Sequence, residues 1–194
     1  MSLKFAERVS EAPHDRAEQL HKLVESLKLP DGRLSPEQLE KVVHAVAERR
    51  ELYEDLIVAD EESRWWLLLY RTPSFEVKLL TWEKDQSTDW HDHGGSSGAF
   101  RVTAGSLLES HRAADSVGTD SASFEVGECG SFGTDYVHDV VFESGDPAVS
   151  IHAYSPPLSG LTFYDRTRFG FVAREFIEEE RRSSFRTTQP HYED

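Results

Sequence analysis

The stretch DWHDHGGSSG, Asp89 to Gly98, sets His91 and His93 one residue apart and follows them with glycines and serines. On a strand, positions i and i+2 project to one face, so the two imidazoles would meet there with Asp92 turned away. Imidazoles gathered in this way are close enough to share one metal ion. The competing reading is two surface histidines at a strand end, and a third ligand from elsewhere in the chain has to decide. His138, in TDYVHDVVF, sits among β-branched residues. A barrel would carry that strand to the pair, whereas a lone strand histidine is otherwise a satisfied core or edge residue.

A second constellation lies in AVSIHAYSPP. Period-two alternation puts Val149, Ile151 and Ala153 on one face and Ser150, His152 and Tyr154 on the other. The polar face is either a solvent-facing surface or the lining of a barrel. In the second case its groups must hydrogen-bond to one another, with His152 bridging to the serine and fixing the Tyr154 hydroxyl.

The elements that must position these residues follow from the pattern around them. Leu20, Leu23, Val24 and Leu27 recur at helical spacing before the turn signal LPDG. Ser35, Pro36 and Gln38 predict the capped start of a second helix, whose stripe is Leu39, Val42, Val43 and Val46. From Trp65 onward come short β-like runs: WWLLLY, FEVKLLTW, AFRVTA, SLLESHR, VHDVVF and AVSIHAY. Gly105 is expected to turn AFRVTA into SLLESHR, and Gly94, Gly95 and Gly98 to allow tight turns and close backbone approach. FVAREFIEEERR, Phe171 to Arg182, reads as a helix, with a mobile polar tail from about Ser183. The whole is expected to be one domain over 1–194: a helical segment at 1–55, a mainly β antiparallel sandwich or barrel at 60–172, and a helix with polar tail at 173–194.

Composition narrows the function classes. Thirty-six acidic residues against 21 Lys plus Arg give a net charge of −15, which repels phosphate backbones and anionic membranes, so neither is an expected partner. The single cysteine, Cys129, forms no intrachain disulfide and reads as a packing residue. The opening MSLKFAERVSEAP has no apolar h-region, and the longest strongly apolar run, WWLLLY, is far short of a membrane span. The expectation is a cytoplasmic protein. His14, His21, His44, His111 and His191 are expected to be structural or solvent-facing.

HDHGGSSGAFRVTAG resembles the first motif of the cupin superfamily, and GTDYVHDVV its second. More narrowly, Trp82, the His91/His93 pair, His138 and above all SIHAYSPP are similar to the bacterial branch of the cysteine dioxygenase family. The resemblance runs from about Trp65 to Phe169. It implies a cupin-type double-stranded antiparallel β-barrel, or jelly roll, preceded by two α-helices. It also implies Fe(II) held by His91, His93 and His138, with positions left for a small-molecule thiol substrate and O2. Tyr154 would lie over the iron, steadied by His152 and Ser150. Arg71 matches the family's carboxylate-binding arginine if a short deletion follows it, with Arg64 as the rival. Gly98 stands where most cupins carry a Glu ligand and where animal members carry a cysteine crosslinked to the tyrosine, so Tyr154 would be unmodified.

The reaction implied is dioxygenation of L-cysteine to cysteine sulfinic acid. The alternative within the class is 3-mercaptopropionate or another small thiol. From another class, the alternative is a cupin that binds metal without oxygen chemistry. A zinc hydrolase on the same three histidines is weaker, for want of a well-placed general base.

Overall fold

The computed structural model describes residues 13–113 and 117–178. Two helices come first, α1 (Pro13–Ser26) and α2 (Pro36–Ala47), followed by two short 3-10 turns. Eight strands follow: β1 (Trp66–Arg71), β2 (Glu76–Trp82), β3 (Ser97–Arg112), β4 (Thr119–Phe124), β5 (Cys129–Phe132), β6 (His138–Ser155), β7 (Gly160–Thr167) and β8 (Gly170–Glu178).

The capping box expected at α2 is present. The Ser35 side chain accepts from the Gln38 amide, and the Gln38 side chain accepts from the Ser35 amide. Leu39, Val42, Val43 and Val46 are fully buried, and each such side chain contributes about 1.5–3 kcal/mol relative to exposure. With Leu20 and Val24 of α1 they pack on Val77, Leu79, Ala99, Val149, Ile151 and Ala153. The helices therefore cover the outer face of the sheet, and the polar alternates of those strands face inward.

β3 and β6 are the spine of the barrel. They pair antiparallel along almost their whole length, from Ser97 with Ser155 to His111 with His138. On one side β6 continues to β2 and then β1, and β5 adds to the first half of β3. On the other side β4 adds to the second half of β3. Residues 86–92 run alongside the first half of β6 and link it to β7 through His91 N to His138 O, Asp92 N to Thr162 O and Tyr164 N to Trp90 O. The β7–β8 hairpin completes this second layer. The two long strands thus belong to both layers, which is the jelly-roll arrangement.

Two expectations are corrected. Gly105 makes no hairpin turn. It sits at a bulge inside the continuous β3, where the register shifts between Ala104 and Ser106. Its φ is +66°, and a Cβ there would collide with the Ser144 carbonyl oxygen, so only glycine fits. The helix expected from Phe171 is a strand, as far as Glu178. Its apolar residues Phe171, Val172, Phe176 and Ile177 fit either period, and long-range pairing with β7 decides the outcome. Residues 179–194, including the expected tail and His191, lie outside the described residues.

Candidate metal centre

His91, His93 and His138 meet inside the barrel. All three are buried, at 4%, 1% and 3% exposure, and their ligand nitrogens lie within 4.8 Å of one another. His91 and His93 do not share a regular strand. His91 forms an isolated bridge with both His138 and Phe163, and His93 begins a turn through Gly94 and Gly95, both at positive φ. The rings nevertheless converge, with centroids 4.7–4.9 Å apart. Asp92 points away, as alternation predicts. Its Oδ1 accepts from the Gly94 amide at 2.9 Å and its Oδ2 from the Tyr164 hydroxyl at 2.7 Å. Burial, and then this carboxylate, push the Tyr164 hydroxyl up to about 12.

The hydrogen bonds set the imidazoles up as ligands. His91 Nδ1 lies 2.8 Å from the Asp89 carbonyl oxygen, an acceptor only, so Nδ1 carries the proton and Nε2 the lone pair. His138 Nδ1 lies 2.6 Å from Glu109 Oε1, with the same consequence. His138 Nε2 and His93 Nε2 face one another at 3.3 Å. Three buried imidazoles turned on one point form a donor set that fits a divalent transition metal. His21, His44 and His111 take no part. His21 bonds the Tyr70 hydroxyl, His44 is exposed on α2, and His111 stacks on Tyr136.

A stack of rings closes one side of the centre. Phe132 lies 4.4 Å from His93 and 5.0 Å from Tyr136, nearly parallel to the latter. Burial first, and then the charge of Glu109 and a hydrogen bond to it, raise the Tyr136 hydroxyl far above its ordinary value.

The polar face of β6 lines the barrel and is fully engaged. Trp82 Nε1 donates to Ser150 Oγ at 2.9 Å, Ser150 Oγ lies 2.8 Å from His152 Nε2, and His152 Nδ1 lies 3.1 Å from the Tyr154 hydroxyl. The solvent-facing reading is excluded, since Ser150, His152 and Tyr154 are at most 7% exposed. Burial, and with it the charges of Arg64 and Lys78, hold His152 well below the ordinary imidazole value. The Tyr154 ring stacks on His93 at 5.4 Å, which joins this hydrogen-bonded chain to the histidine cluster.

Three cations flank the site. Arg71 ends β1 about half exposed, with Nε 3.7 Å from Glu76 Oε2. Arg64 donates to the Ser87 carbonyl at 2.6 Å and lies over the Trp82 ring. Lys78, which sequence reasoning missed, is buried. Its Nζ is 3.1 Å from Glu76 Oε1, 4.5 Å from the Trp66 ring and 6.0 Å from the Tyr154 ring. The available signal was the parity of β2: Lys78 and Trp82 are four apart and share a face.

Fold and histidine cluster together define a cupin. A family model described as cysteine dioxygenase type I matches residues 9–167, and the chain belongs to that family. Similar solved structures include the TT1209 protein of Thermus thermophilus, at 17% identity and a TM-score of 0.48, over 54% of this chain and 93% of that one. A cupin-2 domain protein from Shewanella frigidimarina matches at 15% identity and a TM-score of 0.41, over 52% and 85%. An RmlC-like cupin from Desulfovibrio desulfuricans matches at 14% identity and a TM-score of 0.46, over 53% and 91%. No helix among the described residues is long and apolar enough to cross a membrane.

Proposed function

We propose that this chain is an Fe(II)-dependent thiol dioxygenase that converts L-cysteine to cysteine sulfinic acid in the cytoplasm. The observation that carries the reading is the stacking of Tyr154 on His93, which sets a hydrogen-bonded phenol beside a three-imidazole cluster. A centre that only stored metal would have no use for the chain Trp82–Ser150–His152–Tyr154. The net reaction is R–SH + O2 → R–SO2H, with both oxygen atoms going to sulfur. His91, His93 and His138 would hold the ferrous iron, which would supply the redox chemistry between thiol and O2.

The protein's own groups do the positioning. With Trp82 donating to Ser150, the serine can give its proton to His152 Nε2, and a neutral His152 can then donate from Nδ1 to the Tyr154 oxygen. The phenol then keeps its own proton to donate to the substrate or to oxygen. A neutral His152 is required for this direction, and its depressed basicity supports it.

Arg71 and Lys78 on either side of Glu76 carry one net positive charge at the wall of the barrel, which suits a single substrate carboxylate. Arg64, tied to Ser87, is the poorer candidate. Phe100, Phe132 and Leu161 keep water from the reacting groups.

Oxygen consumption by the anaerobically Fe(II)-loaded protein tests the reading, with L-cysteine and 3-mercaptopropionate offered in parallel. Uptake with cysteine and formation of its sulfinate is the expected result. Preference for the thiol without the amine would keep the chemistry and move the substrate. No uptake with either, iron being bound, would reject it for both thiols.

A further inference from the structure

Glu109 is a buried carboxylate whose charge the reading above leaves without a task. It lies on β3, 4% exposed, between Val140 of β6 and Ala122 of β4. Desolvating a carboxylate costs several kcal/mol, and a neutral imidazole N–H returns only part of that. The geometry is directed. Oε1 sits 2.6 Å from His138 Nδ1, on the side of the ring opposite the nitrogen that faces His93 at 3.3 Å. Tyr136 donates to the same carboxylate and steadies it from behind.

Position 98 supplies no carboxylate ligand. Gly98 has no side chain, and a Cβ there would run into the ring of Phe132. The cluster itself thus offers three neutral imidazoles. Glu109 is a fixed negative group behind them, one imidazole away.

We propose that Glu109 is a positioning residue that completes the metal centre electrostatically, supplying through His138 the negative charge that a carboxylate ligand would supply by direct coordination. The charge strengthens His138 as a donor and fixes which nitrogen it offers. It also leaves the coordination positions on the substrate side open. The proposal rests on the histidine cluster holding a divalent metal, and not on which thiol is oxidised.

The test is a Co(II) titration of the metal-free full-length protein, read by calorimetry and by the visible absorption of the bound ion. Glu109→Gln keeps an acceptor for Nδ1 and removes the charge. Glu109→Leu removes both and keeps the volume. Either variant alone decides the matter: a Kd weakened about 10–100-fold, with the thermal midpoint of the metal-free protein held, is the expected result. A Kd within about threefold of wild type in either variant would overturn the proposal. So would a carboxylate whose loss in both forms prevents folding, since its role would then be structural. Wild-type protein that takes up no Co(II) would overturn the metal centre itself and Glu109's role with it. Co(II) uptake that depends on Glu109 in a protein inert toward both thiols would leave this inference standing and the dioxygenase reading rejected.

Discussion

The ring of Phe132 fills the space that a side chain on Gly98 would need, while Gly98 itself lies directly opposite Tyr154 between β3 and β6. Position 98 is thus the one from which a neighbouring cysteine would reach the phenol, and here that approach is closed. Gly98→Cys is expected to cost about 1–3 kcal/mol through overpacking. It is also expected to give no crosslink to Tyr154. Thermal denaturation and the intact mass check both, since a thioether removes two hydrogens. A crosslinked product formed without loss of stability would show that Phe132 yields easily.

Truncating Tyr154 separates catalysis from metal binding. Tyr154→Phe keeps the ring on His93 and removes the hydroxyl that His152 addresses. Turnover should fall by about 100-fold or more while iron content stays near wild type, the range typical for losing one proton-donating group. Equal loss of both would favour a metal-binding module.

Removing the buried cation should act on substrate affinity. Lys78→Met keeps length and apolar fill between Trp66 and Tyr154 and deletes the charge. For a carboxylate substrate, KM should rise about 10–100-fold, as expected for a charged hydrogen bond worth about 1.5–3 kcal/mol. Arg71→Gln should have a similar effect if the two cations share the carboxylate. A KM unchanged in both variants would send the carboxylate elsewhere, with Arg64 next in line.

His152 gives the protein a pH signature. Burial, and then the nearby positive charges, hold it neutral in the folded state, so below its ordinary value of about 6.5 the unfolded chain binds a proton that the folded chain does not. This contribution to stability is complete above about pH 6.5 and is lost progressively as the pH falls below it. Thermal midpoints measured from about pH 7.5 to 5 should therefore drop more steeply for wild type than for His152→Gln. Parallel slopes would assign the acid sensitivity to other groups.

Cys129 should be slow toward thiol reagents. Burial and the charge of Glu40 push its thiol up to about 11, with Arg101 opposing. Alkylation at about pH 7 should proceed far below the rate of a free thiol and accelerate toward about pH 11. Fast modification at neutral pH would contradict its reading as a packing residue.

The parts of this protein that were legible in its sequence are those fixed by local spacing. The Ser35 capping box, the α2 stripe, and the alternation that separates Ser150, His152 and Tyr154 from Val149, Ile151 and Ala153 all depend on neighbours within a few residues. The three histidines were legible as well, through motifs. What escaped depended on partners far along the chain. β7 and β8 exist because they pair with each other and with the segment around Trp90, and their apolar residues carry no period of their own. Gly105 looks like a turn in isolation and becomes a bulge only because β6 runs beside it. Glu109 is an ordinary strand carboxylate until the fold brings His138 against it from 29 residues away, a separation invisible to any short window. Lys78 was hidden by type: lysine is seldom buried without a pairing that sequence does not display.

One long strand that serves two layers has a consequence for how the centre comes into being. His138 opens β6 and Tyr154 lies at its far end, while Glu109 and Gly98 sit on the two halves of its partner β3. The supports of His138 and of Tyr154 are therefore the same pair of strands. Loss of the β3–β6 pairing would take His138 and Tyr154 out of place together. A chain without that pairing would keep neither the third imidazole nor the phenol in position.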